Sequence, residues 1–209
     1  VIVMAVPKLS KRQRLLCAGV TAALAIAGGY QLWQASWIIA KAQVAQILIS
    51  RAWHDNQKAG QAIAKPWSWA DTSPVARIKF VRQQTAMMVL SGDSGRVLAF
   101  GPGHDPNTPL PGNGGNSVIS GHRDTHFSLL RDVKRGDLVS VQTIGGETVH
   151  YEIDHTQIVD QSQIEVTYDN GLDELTLVTC WPFDALTPRG PQRFVVSARR
   201  AFPKLIHQF

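Results

Sequence analysis

Cysteine is scarce in this chain: among 209 residues there are only two, Cys17 and Cys180, so a disulfide-stapled small domain is excluded. Acidic residues are missing altogether before Asp55, and charged residues reach only 18% of the whole. That share lies below the roughly 25% usual for soluble domains, which rules out a disordered acidic or basic chain. Lys and Arg number 21 against 16 Asp and Glu, a net charge of +5, too small an excess to argue for nucleic acid. No internal repeat and no low-complexity tract is present, which excludes a solenoid. The length allows one domain of ordinary size with some chain left over, but not two full catalytic domains.

What the N-terminal region does contain is ordered by charge. Lys8, Lys11, Arg12 and Arg14 precede a run from Leu15 to Trp33 whose only ionisable side chains are Cys17 and Tyr30. About 19 residues at about 1.5 Å each cover close to 28 Å, nearly the hydrocarbon thickness of a bilayer. Trp33 and Trp37 have the look of interfacial aromatics, and the basic flank would stay on the cytoplasmic side. The organisation expected is a basic cytoplasmic tail over 1–14, a transmembrane signal-anchor helix over 15–37, a juxtamembrane helical stalk over 38–65 and a folded domain over 66–209, delivered to the periplasmic side of the cytoplasmic membrane. A cleaved signal peptide is the competing reading, with Ala27-Gly28-Gly29 as a passable cleavage site. Ile38, Val44, Ile47, Leu48 and Trp53 recur at helical spacing up to about Gln57, and Pro66 and Pro74 bracket an irregular boundary segment.

From Val75 onward the pattern changes to short runs rich in β-branched residues: Ala76–Phe80, Ala86–Leu90, Ser117–Ser120, Leu138–Thr143, Thr148–Asp154, Thr156–Val159, Leu175–Thr179 and Arg193–Ala198. Glycine, proline and aspartate separate them, so the class read from the pattern is all-β, a barrel or sandwich of about eight strands. A short helix is expected at Phe127–Leu130, and Gly145-Gly146 reads as a hairpin turn.

Three chemically distinct side chains sit at the ends of those runs. His122 follows Ser120-Gly121, Cys180 ends Thr176-Leu177-Val178-Thr179, and Arg193 opens the last strand. A thiolate can attack an acyl carbon, an imidazole can give a proton to a departing amine, and a guanidinium stays protonated while it stabilises a developing oxyanion. Each of the three also has a plainer role open to it: a buried small thiol, a structural histidine, a surface ion-pair partner. His104, His126, His150 and His155 are assigned no catalytic role, and Arg189 competes with Arg193 for a place near Cys180.

The run TLVTC, Thr176 to Cys180, resembles the TLxTC signature of sortases, cysteine transpeptidases that attach or process proteins at cell surfaces. SGHRDTHFSLL, Ser120 to Leu130, looks like the sortase histidine segment, and Arg193 before FVVSA matches the third catalytic position. PWSWADTSPVARI (Pro66–Ile78), LAFGPGH (Leu98–His104) and TCWPFDAL (Thr179–Leu186) resemble the single-sortase branch of Gram-negative bacteria; the likeness runs from Pro66 to Ala198. It implies an eight-stranded sortase-type β-barrel with short helices, preceded by an N-terminal membrane helix. It implies further that Cys180 is the nucleophile, His122 acid and then base, Arg193 the oxyanion and positioning cation, with Thr179 and Trp181 in support of substrate or oxyanion. Trp181 departs from what related sortases often carry there. The implied partners are a protein with a C-terminal LPxTG-like sorting signal, an amine acceptor that the sequence does not identify, and the membrane; no nucleic acid, no cofactor and no metal is implied. The rival readings are a sortase-fold hydrolase that releases its substrate to water, and a non-catalytic surface-protein-binding domain with a structural Cys180. L,D-transpeptidase chemistry is set aside, because its histidine lies within the same short motif as its cysteine.

Overall fold

The computed structural model describes residues 10–163, 171–185 and 190–202. The chain divides into two compact units, the first ending at Val44 and the second beginning at Ala45. From Lys11 on, its described residues form one continuous helix, part of helix α1 (Lys11–Ala59). The apolar side chains of Leu15, Leu16, Val20, Leu24 and Ile26 are exposed, and an 18-residue stretch of α1 has a mean hydropathy of 1.6, enough to cross a membrane. Two of its hydroxyls fold back on their own helix, Thr21 donating to the Cys17 carbonyl (2.9 Å) and Ser36 to that of Leu32 (2.8 Å).

The second unit opens with the last turns of α1. Ala45, Ile49, Ala52 and Trp53 are buried, at the spacing that sets residues along one helix face. The stalk expected over 38–65 is therefore not one piece, and the compact unit begins well before the expected boundary near Pro66. The helix stops at Gly60 instead of at a proline: the Gly60 N–H donates to the Gln57 carbonyl and that of Gln61 to Asn56, while Gly60 takes φ of +67°. This pair of bonds satisfies carbonyls that a helix end leaves open. Asn56, fully buried, ties the following segment down, accepting from the Ala64 N–H at 2.6 Å and donating to the Pro74 carbonyl at 3.2 Å.

Eight strands follow: β1 (Pro74–Phe80), β2 (Thr85–Ser91), β3 (Gly103–His104), β4 (Asn116–Ser120), β5 (Leu138–Thr143), β6 (Thr148–Asp160), β7 (Glu174–Trp181) and β8 (Gln192–Ala201). A helical turn α2 (Gly95–Leu98), capped by the Ser94 hydroxyl, and a short 3-10 helix (Ser128–Asp132) interrupt them. The strands close into a barrel in the order β1-β2-β3-β4-β7-β8-β6-β5, with β5 pairing back onto β1. Pairs β2–β3 and β4–β7 are parallel. The core inside is made by Ile78, Phe80, Val139, Val141, Tyr151, Ile153, Leu175, Leu177, Val196 and Ala198, the inward-pointing members of alternating strands.

Two runs read as separate strands, Thr148–Asp154 and Thr156–Val159, are one strand, β6. A bulge between Ile153 and His155 leaves Asp154 without a partner on β8, and this extra residue breaks the alternation that would have signalled continuity. The eighth strand is β3, only two residues long, which carries no readable period.

Candidate active site

The site grows from three neighbouring strands. β7 lies between β4 and β8, so whatever ends β7 has a strand terminus on each side. On the β8 side, Cys180 is paired directly with Arg193. On the β4 side, the ladder runs in parallel to Ser120 opposite Val178, and the Gly121 N–H continues it to the Val178 carbonyl at 3.0 Å. His122 thus lies past the end of β4 at the level of Cys180, the last residue but one of β7. The topology brings all three expected residues to one end of the barrel.

Alternation separates the neighbours of Cys180. Leu175, Leu177 and Thr179 are buried inward, whereas Val178 and Cys180 are partly exposed. Thr179 is buried and its hydroxyl donates to the Gly121 carbonyl at 2.7 Å, stitching the base of the histidine turn to the cysteine strand. Trp181 goes to the other face from Cys180. Its ring stacks on Phe194 (5.7 Å) and meets Phe183 edge-on (5.5 Å), an aromatic plug at the barrel end. Thr179 and Trp181 therefore have packing tasks of their own in this structure.

His122 is exposed. Its carbonyl accepts from the Phe127 N–H at 3.0 Å, and a Cβ placed on Gly121 would meet the Phe127 ring at 2.6 Å. Glycine is required there so that the histidine turn can close over that buried ring. His126 lies close by, half-buried, and its pKa is lowered by burial and then by the like charge of His122. The other histidines are placed elsewhere: His104 is buried with Nε2 at 3.0 Å from the Pro109 carbonyl, His150 contacts the Ser140 hydroxyl and His155 lies beside Asp154.

Arg193 is opposite Cys180 in register, but its guanidinium is occupied. Nη1 donates to the carbonyls of Gly190 (2.7 Å) and Gln192 (2.9 Å), and Nη2 donates to Gln161 Oε1 (2.9 Å). Among the described residues three of its five N–H groups are so used, which leaves two for an incoming oxygen. Gln161 is a partner that sequence reasoning missed, since no periodicity links a residue just past β6 to the start of β8. Arg189, the competing arginine, lies outside the described residues.

Arg123 was likewise passed over, although it stands next to the histidine. It is 4% exposed, and it donates to the Pro182 carbonyl (2.8 Å), the Ala185 carbonyl (2.8 Å) and the exposed Asp124 carboxylate (3.2 Å). Two surface cavities adjoin these turns, one of about 440 Å³ lined by Arg123, Asp124, Ser128 and Phe183 among others, and one of about 360 Å³ lined by Arg131, Trp181, Phe183, Asp184 and Phe194. Arg131 lies over the Phe183 ring at 5.3 Å. Among the described residues no three His, Cys, Asp or Glu side chains converge as metal ligands would.

Comparison with known proteins finds sortases. The sortase domain profile matches residues 78–201. Sortase D of Bacillus subtilis (strain 168) is 33% identical over 113 residues, which is 54% of this chain and 56% of that protein. Among solved structures, sortase A from Corynebacterium diphtheriae superposes with a TM-score of 0.58 at 28% identity, covering 64% of this chain and 63% of that one. The Clostridium perfringens sortase D5 transpeptidase gives a TM-score of 0.57 at 26% identity, over 71% of this chain and 88% of that one.

Proposed function

The chain belongs to the sortase family, and from that premise we propose that it is a membrane-anchored cysteine transpeptidase that cleaves a C-terminal LPxTG-like sorting signal of a surface protein and transfers the acyl part to an amine. The single observation that carries this reading is the meeting of three strand ends: Cys180 paired with Arg193, and His122 two residues past the Ser120–Val178 pair.

In the proposed reaction the Cys180 thiolate attacks the carbonyl carbon of the Thr–Gly bond, and the electron pair moves onto the oxygen. Arg193 would stabilise that oxygen with its two remaining N–H groups. As the tetrahedral species collapses, His122 gives its proton to the departing glycine nitrogen, leaving a thioester on Cys180. An amine then attacks the thioester, His122 takes a proton from it, and the cysteine sulfur departs. The segments PWSWADTSPVARI, LAFGPGH and TCWPFDAL support placing the chain in the single-sortase branch of Gram-negative bacteria. The apolar length of α1 and its basic N-terminal flank support a single-pass anchor in the cytoplasmic membrane with the barrel on the periplasmic side.

Hydrolysis shares the acylation step and differs only in the second nucleophile. Incubation with an LPxTG-like peptide and rising concentrations of a primary amine separates the two: transfer requires that amide product replace free acid as amine increases. A product ratio indifferent to amine leaves the cysteine chemistry standing and makes the protein a hydrolase. A Cys180 that resists alkylation, with no cleavage at all, would favour the binding domain.

A further inference from the structure

We infer that Arg123 is a positioning residue that sets the Cys180 thiol and the His122 imidazole in reacting register, by tying the turn after the histidine to the turn after the cysteine. The inference rests on the reading that these two residues react. The strand ladder does not reach far enough to do the job alone. Its last pair is Ser120 with Val178, its last bond runs from the Gly121 N–H to the Val178 carbonyl, and the chain then parts into two turns, one leading to the 3-10 helix and one through Pro182.

Arg123 bridges the parting. It is the residue after His122, and its two terminal nitrogens reach the carbonyls of the second and fifth residues after Cys180, Pro182 and Ala185, both at 2.8 Å. A planar fork with fixed donor directions holds two carbonyls at once, which a point charge on a flexible stem does less well. The Arg123 side chain is 4% exposed, whereas that of its carboxylate partner Asp124 is 68% exposed. Burying a cation is costly, and well-packed apolar side chains stabilise such a position at least as well. A buried arginine whose best bonds go to backbone on the cysteine loop is therefore better explained by the geometry it enforces than by stability. Displacement of a reacting group by about 1 Å costs on the order of 10²-fold in rate.

The test uses the full chain in detergent with Cys17→Ala, so that Cys180 is the sole thiol. Arg123→Gln, Arg123→Lys and Asp124→Asn are compared for kcat and KM on an LPxTG-like peptide, for the rate of Cys180 alkylation by iodoacetamide, and for melting temperature. Arg123→Gln should lower kcat by about 10²-fold with KM little changed, and should slow alkylation. Arg123→Lys should recover part of the loss, because one carbonyl can again be held by a cation. Asp124→Asn leaves both carbonyl bonds in place and should stay close to wild type. A folded Arg123→Gln protein with wild-type kcat and alkylation rate overturns the inference. So does a loss that lysine leaves unrelieved and that follows melting temperature alone, or an Asp124→Asn defect as large as that of Arg123→Gln. If the wild type cleaves no such peptide, the functional reading fails separately, and the alkylation rates still decide the role of Arg123.

Discussion

Cys180, His122 and Arg193 stand out in the sequence because each lies at the end of a short β-branched run, but their assignment over the plainer roles came from the resemblance to sortases. Their hydrogen-bond partners were not legible. Gln161, which holds Arg193 at 2.9 Å, is 32 residues away in the chain and carries no motif. The fork geometry of arginine is what the oxyanion role demands, so Arg193→Lys should lose most peptide cleavage, by roughly 10²–10³-fold in rate if one donor is lost. Arg189→Lys should lose little; equal defects in a kinetic comparison would show that the wrong arginine was chosen. A second expectation concerns Gly121. Its Cβ would press on the Phe127 ring at 2.6 Å, so Gly121→Ala should destabilise the fold by about 1–3 kcal/mol, measurable by denaturant melts. Gly146, by contrast, takes a φ of +85° in its turn with nothing within 4 Å of where a Cβ would sit.

The turn between the 3-10 helix and β5 shows how charge supports an element boundary. Asp137 accepts from Arg82 Nε and Nη2, both at 2.8 Å, and from the Lys134 N–H at 2.8 Å. Burial pushes the carboxyl pKa up, but the Arg82 and Lys134 hydrogen bonds outweigh it and hold the group below its usual range. A folded-state pKa below the unfolded value contributes stability that is present above the unfolded value, about 3.9, and is lost as pH falls through the folded one. Asp137→Asn should therefore lower the melting temperature at neutral pH, with the difference from wild type shrinking below about pH 4. A gap that stays constant into strong acid would contradict the assignment. Helix α1 makes the second case among elements. Its C-terminal turns were read as a stalk because apolar residues at helical spacing fit a half-solvated rod as well as a packed one; only the burial of Ile49, Trp53 and Asn56 tells the two apart. Trp53→Ala should cost about 3–5 kcal/mol in the unfolding of the barrel, and a negligible cost would restore the stalk.

For the molecule as a whole, the all-β class and the count of eight strands were readable, but the count was right through two compensating differences, the bulged β6 read as two strands and the two-residue β3 unseen. Topology was beyond periodicity. Nothing in the spacing of Ser117–Ser120 and Leu175–Thr179 says that they lie side by side in parallel, yet that pairing delivers His122 beside Cys180. The resemblance carried by TLVTC and SGHRDTHFSLL supplied what pattern alone could not.

The account turns on a covalent bond between Cys180 and the acyl part of a cleaved peptide. Mass spectrometry of the full chain incubated with an LPxTG-like peptide, followed by fragmentation of the adduct, measures it directly. An acyl mass that maps to Cys180, disappears in Cys180→Ala and persists in Cys17→Ala is the expected result. Peptide cleavage that survives in Cys180→Ala, with no adduct on the wild-type thiol, would contradict it.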